Sequence, residues 1–319
     1  MPKRQALLAR AVALLLLGAV LGTACTASGG SGGSATRSTT DTSTRSGPSN
    51  GSGRSDGSID ASLTRRGVAC RGQDALGGDD VDHFVTAAYV VNGVLGATCF
   101  GDRDPSLISA WRHLVAVAPP TELRNLALFA GYTSTDETDL AYVNSIDDAG
   151  RQFQMSVNLD AYDEDHVEGE LTMAHEFSHV FTALPDQLDR SITTADDCGT
   201  WYDGEGCFRS GSLMAKWIDA FWPAEELDRI DVNHDPEISD GDRLCHLNPG
   251  FLGSYAATNP EEDFAETFAA FVYRVDAPTA EVQDKFDWMA RRPELAAFRH
   301  RATAAGLGPL EGDFDTCGS

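Results

Sequence analysis

His175, Glu176 and His179 stand in the order H-E-x-x-H within LTMAHEFSHVFTAL, residues 171–184. On a helix, positions four apart lie one above the other, so two imidazoles can reach a single ion. Glu176 stands beside the pair, where its carboxylate could take a proton from a water activated by that ion. A helix is expected, because Leu171, Ala174, Phe177, Val180, Phe181 and Leu184 recur at helical spacing and Pro185 stops it. The bland account is a helix that carries two histidines and an acid by chance. With 8 histidines in 319 residues, that pattern should arise in only about one such chain in a hundred.

Catalytic zinc takes three protein ligands and leaves a fourth position to water. A third histidine six residues beyond the second would fall at Pro185, and Thr182 stands where a glycine would be needed, so that arrangement is excluded. The other solution is a carboxylate on a later helix, and NPEEDFAETFAAFVY (259–273) fits it. Asn259 can cap, Pro260 suits the first helical position, and Phe264, Phe268, Phe271 and Val272 form an apolar face. Glu262 and Glu266 lie one turn apart on the same face. One can bind the metal while the other receives the free N–H of a ligand histidine. The residues leave open which does which. Glu262, three places after Asn259, also suits a capping interaction, and Glu266 also suits a solvated face.

HEFSH followed by a helix that reads E-D-F-A-E-T-F resembles the gluzincin metallopeptidases, and within them the anthrax lethal-factor-like group. The resemblance implies a zincin-like fold, a Zn2+ cofactor and a peptide or protein substrate. It assigns Glu262 as the third ligand and leaves Glu266 to a ligand histidine or as the alternative ligand. It also implies that Tyr255, seven residues before Glu262, assists at the oxyanion. Zinc on His175, His179 and Glu262 would then polarise a water and the scissile carbonyl, with Glu176 as general base.

These residues need a scaffold. PSLISAWRHLVAVA (105–118) has helical spacing after Asp104 and Pro105. Residues 126–133 and 140–145 read as strands, and 151–160 alternates with Phe153, Met155, Val157 and Leu159 on one face. Strands leading into a metal-bearing helix make an α+β fold with a small mixed or antiparallel sheet. The strand Gln152–Leu159 is the candidate edge for a peptide to extend, with an ordinary internal strand as the alternative. A helix over 211–223 closed by Pro223 is expected to use Trp217, Phe221 and Trp222 for packing, and two helices follow near 279–291 and 293–305.

A second metal pattern lies in DVNHDPEISDGD (231–242). Asp231, Asn233, Asp235, Glu237 and Asp242 occupy oxygen-donor positions of a calcium loop. Pro236 replaces the usual glycine and Asp242 the usual glutamate, so a solvated acidic turn competes with a structural Ca2+ site.

The ends point to export. Residues 1–24 form a signal with Lys3, Arg4 and Arg10 ahead of the apolar run 11–21, too short for a membrane span. GTAC resembles a lipobox, which implies acylation of Cys25, anchoring on the extracytoplasmic face of a bacterial cell membrane. The alternative is cleavage near Ala24 and free secretion. Residues 25–62 read as a Gly/Ser/Thr-rich tether unable to bury enough surface to fold, and 63–319 as one catalytic domain. A net charge of −25, which becomes −28 without the three signal cations, makes nucleic acid and anionic headgroups poor partners. Beyond Cys25 there remain Cys70, Cys99, Cys198, Cys207, Cys245 and Cys317, an even number that favours disulfides in an exported domain. Nearness in sequence, and the pinning of the C-terminus, favour Cys70–Cys99, Cys198–Cys207 and Cys245–Cys317. Two rival functions stand beside the peptidase: an inactive binding module of the same fold, and a zinc amidase acting on cell-wall material.

Overall fold

The computed structural model describes residues 57, 59–77, 82–134, 140–234, 236–310 and 317. The signal segment, Cys25, nearly all of the tether and Asp235 lie outside the described residues.

Two strands, β1 (Asp82–Val91) and β2 (Val94–Gly101), form a hairpin. Its turn is Asn92–Gly93, with φ of 54° and 79°, the left-handed pair that a two-residue connection demands. Helix α1 (Pro105–Val117) follows, N-capped by the Asp104 side chain. It leads into β3 (Leu126–Ser134), β4 (Ala141–Ser145) and β5 (Phe153–Asn158). The sheet order is β2-β1-β3-β5-β4. β3 and β5 run parallel and the other neighbours antiparallel, so the fold is mixed α and β with one small mixed sheet.

Of the two readings of the Gln152–Leu159 strand, edge or internal, the structure has the internal one. β5 lies between β3 and β4, and all six of its residues are buried. Its alternation reflects two covered faces rather than one. Phe153, Met155 and Val157 join the core beneath the helices. Gln154 faces the other way, donating to the Leu76 carbonyl at 2.5 Å and to the Ser156 hydroxyl at 3.0 Å. On that second face a smaller core gathers Cys70, Leu76, Phe84, Leu128, Tyr132 and Tyr142. Leu159 belongs to the next helix, α2 (Leu159–Glu164), capped by Asn158.

Among the described residues, β4 is therefore the last strand on this side. The Leu140 carbonyl accepts from the Asn158 N–H, and the Ile146 N–H donates to the Gln152 carbonyl, both at 2.9 Å. By antiparallel alternation, Ala141, Val143 and Ser145 direct their backbone groups away from β5, Ala141 and Val143 into buried surroundings and Ser145 into a half-buried one.

Helix α3 (His166–Thr182) carries the H-E-x-x-H residues, and Asp165 caps it by accepting from the Val167 and Glu168 N–H groups. Beyond it come a short ribbon of β6 (Leu188–Asp189) and β7 (Cys207–Phe208), then α4 (Leu213–Phe221), α5 (Ala224–Leu227) and α6 (Ile238–Leu247). The chain continues through α7 (Pro260–Tyr273), α8 (Ala280–Ala290) and α9 (Pro293–Ala304). α3 and α7 are locked by an aromatic wedge. Phe181 meets Phe264 at 6.3 Å, Phe268 at 5.3 Å and Phe298 of α9 at 5.4 Å between ring centroids. Each such buried ring contributes about 1.5–3 kcal/mol, and the wedge sets the polar faces of the two helices against each other. Disulfides join Cys70 to Cys99, Cys198 to Cys207 and Cys245 to Cys317. Among the described residues, no helix is long and apolar enough to cross a membrane.

Candidate metal centre

One helical turn on α3 places His175 and His179 on the face turned to α7. Their Nε2 atoms are 3.3 Å apart. Glu262 enters from the first turn of α7, where Asn259 accepts its backbone N–H at 2.9 Å. The cap thus uses the backbone of Glu262 and leaves its carboxylate free. Oε2 of Glu262 lies 3.0 Å from His175 Nε2 and 3.7 Å from His179 Nε2. Glu266, one turn on, places Oε1 3.1 Å from His175 Nδ1. The two ring nitrogens of His175 therefore face two different glutamates.

The three converging atoms can be tested against zinc. Bonds of about 2.0–2.1 Å in tetrahedral geometry put neighbouring ligand atoms about 3.3 Å apart. The observed spacings of 3.0, 3.3 and 3.7 Å straddle that figure. Two nitrogens and one oxygen also match a catalytic zinc set. Among the described residues, His175, His179 and Glu262 are the one group of three or more such side chains whose ligand atoms all lie within 4.8 Å of one another.

Glu176 is fully buried, and neither carboxylate oxygen makes a hydrogen bond of good geometry. Burial pushes its carboxyl up to about 7, against the pull of His175, His179 and the approaching Val143 N–H of β4. For Glu262, burial is outweighed by the two imidazoles, which hold it down at about 2. Burial likewise opposes a charged His175, but its contacts with Glu262 and Glu266 prevail and raise it well above the usual histidine range. In these terms the site is a cluster of acids and imidazoles with a proton to lose, which a divalent cation would displace.

Tyr255 closes another side. Its ring stacks on His175 with centroids 6.1 Å apart. Burial, then the charges of Glu262, Glu176 and Glu266, push its hydroxyl well above the usual phenol range, so it stays protonated and able to donate.

Sequence reasoning missed the groups that flank Glu262. Trp201 donates its indole N–H to Glu261 at 2.9 Å. Burial and the nearby Asp203 carboxylate raise Glu261 to about 8. Trp217 and Trp222, expected as packing, are buried but also donate to Asp263. A run of three acids in the first turn of α7 was the available signal.

Among the described residues, which leave out Asp235, the acidic stretch 231–242 does not assemble in the same way. Glu237 caps α6 in a reciprocal box with Asp240. Asp231 accepts from the Asn233 backbone at 3.1 Å, and Asp242 lies within α6. Among the described residues these carboxylates form no group with converging ligand atoms.

No protein-family description and no curated protein matches the chain. One solved structure that it resembles is a candidate zinc-binding metallo-peptidase from Bacteroides caccae ATCC 43185, at 15% identity and a TM-score of 0.24. The match covers 62% of this chain and 66% of that one, just under two thirds of its length. At that score the likeness carries no weight for fold or activity.

Proposed function

We propose that the chain is an exported, lipid-anchored zinc metallopeptidase, with zinc held by His175, His179 and Glu262. The observation that carries this is the mutual spacing of the two Nε2 atoms and Glu262 Oε2, at 3.0, 3.3 and 3.7 Å. Zinc bound there would supply a Lewis acid that polarises a carbonyl oxygen and makes water nucleophilic near neutral pH. The chain's own groups do the rest. Glu176 accepts the proton of the attacking water on a carboxylate oxygen and passes it to the leaving amine. Tyr255 donates a hydrogen bond to the oxygen on which charge develops, where the interaction counts most in the transition state. Glu266 holds His175 through Nδ1 and keeps Nε2 directed at the metal position.

The outer edge of β4 offers its half-buried Ser145 end to an extended peptide added as a further strand. Val143, whose N–H approaches Glu176, puts that edge beside the general base. Three disulfides accord with an oxidising compartment outside the cytoplasm. Anchoring through Cys25 rests on the sequence.

Elemental analysis of the purified protein beside its Glu262→Ala variant tests the reading. Near one zinc per chain in the parent, lost in the variant, is expected. Zinc kept by the variant would move the third ligand to Glu266, and no uptake by the parent would favour a binding module. A peptide library assayed beside cell-wall fragments separates a peptidase from an amidase.

A further inference from the structure

The first turn of α7 carries three successive carboxylates, each held by a different part of the molecule. Glu262 meets α3. Glu261 Oε1 accepts the Trp201 indole N–H at 2.9 Å, from the loop that Cys198–Cys207 closes. Asp263 Oδ2 accepts the indole N–H groups of Trp217 and Trp222 at 3.0 and 2.9 Å. Its Oδ1 meets Nζ of Lys285, from α8, at 2.5 Å. That ammonium is itself buried, 4.2 Å from the centre of the Phe251 ring.

Successive helical residues project about 100° apart, so the outer two acids grip α7 on either flank of Glu262. The consequence is rotational. A carboxylate about 5–6 Å from the helix axis moves roughly 1 Å when the helix turns by about 10°. Metal bonds tolerate about 0.2 Å. Stability alone does not account for a fully buried Lys–Asp pair, because desolvation cancels most of its attraction and apolar residues of similar volume hold a core as well. What apolar residues would not supply is a directional hold on one residue of the turn that presents Glu262.

We propose that Asp263, held by Lys285, Trp217 and Trp222, is a positioning residue for the third metal ligand. It fixes the rotation of α7 so that Glu262 meets His175 and His179. The inference rests on the metal reading above and deepens it.

The test measures zinc affinity by competition with a chromophoric chelator, and the visible spectrum of the cobalt-loaded protein, for the parent, Asp263→Asn, Lys285→Met and Trp222→Phe. Cooperative melting of each metal-free variant establishes that it is folded. Asp263→Asn and Lys285→Met are expected to bind zinc at least about tenfold more weakly, with a shifted cobalt band. Trp222→Phe, which removes one of two indole donors, should lose less. A remote core variant, Trp111→Phe, should keep the parent affinity although it melts lower. Folded variants with the parent's affinity and cobalt band would overturn the proposal, as would an equal loss in Trp111→Phe. If Asp263→Asn does not fold, the other two variants decide. A parent that takes up no zinc would sink the metal reading itself, a different outcome from a parent that binds and variants that match it.

Discussion

Nδ1 of His175 lies 3.1 Å from Oε1 of Glu266, while Nε2 of the same ring lies 3.0 Å from Oε2 of Glu262. One imidazole is thus held at both ends by acids one helical turn apart. A carboxylate on the far nitrogen fixes the ring's tautomer and strengthens it as a ligand. Glu266→Ala should weaken zinc binding by about 10–100-fold. Glu266→Gln, which can still accept the Nδ1–H without the charge, should weaken it less. Chelator competition measures both. Equal affinities for the parent and Glu266→Ala would leave Glu266 without a role at the metal.

The protonation of the metal-free site sets a pH dependence. Glu176 is raised to about 7 by burial, so the folded chain keeps a proton that the unfolded chain releases near 4.5. Its contribution to stability is full below the unfolded value and is lost as pH rises towards 7. His175, raised well above 6.5, has the same sign, and its contribution is lost at higher pH still. Glu262, held at about 2, acts oppositely, and its contribution is lost as pH falls from 4.5 towards 2. The metal-free protein should therefore be most stable in mild acid. Zinc requires the ligands deprotonated, so the rise in melting temperature on adding zinc should grow between pH 5.5 and 8. Melting curves with zinc and with a chelator check this. A zinc shift that is flat with pH would contradict it. Glu176→Gln should retain zinc, lower peptide cleavage by about 10²–10⁴-fold and flatten the metal-free pH profile between 4.5 and 7.

Tyr255 stacks on His175 and keeps a protonated hydroxyl. If it serves the developing oxyanion, Tyr255→Phe should lower kcat by about 10²–10³-fold. KM should change little, because the ring and its stacking remain, and zinc should still bind through His175, His179 and Glu262 although the hydroxyl's contact with Glu262 is lost. A variant with the parent's kcat would remove the hydroxyl from the reaction.

Local spacing makes α1, α3 and α7 legible, since each has an apolar stripe and a cap or stop that the residue order displays: Asp104 before α1, Pro185 after α3, Asn259 before α7. The hairpin of β1 and β2 carries a signal as plain, Asn92–Gly93 between apolar runs, which motif-led reading passes over. Strand order is another matter. Phe153–Asn158 alternates whether one face is covered or both, so no local pattern says that β4 rather than β5 lies at the edge. The ligand set shows the same division. His175 and His179 are set by spacing on one helix, while the choice between Glu262 and Glu266 depends on how α7 is rotated against α3. Lys285, which helps to hold that rotation, sits 22 residues from Asp263 in a segment with no motif at all.

Two disulfides separate stability from the site. Cys245–Cys317 closes a separation of 72 residues and Cys198–Cys207 one of 9. On chain entropy alone, removing the first should cost about 4 kcal/mol and the second about 2.5 kcal/mol. Their effects on zinc should run the other way. The shorter bridge closes the loop that carries Trp201, whose indole holds Glu261 beside the third ligand. The longer one ties α6 to Cys317 and holds no residue of the first turn of α7. Double serine variants of each pair, followed by denaturant unfolding and by chelator competition, test this. The Cys245/Cys317 pair should lose more stability and keep its zinc affinity, and the Cys198/Cys207 pair should lose less stability and bind zinc more weakly. The same zinc affinity in both would mean that the Trp201 loop does not reach the ligands.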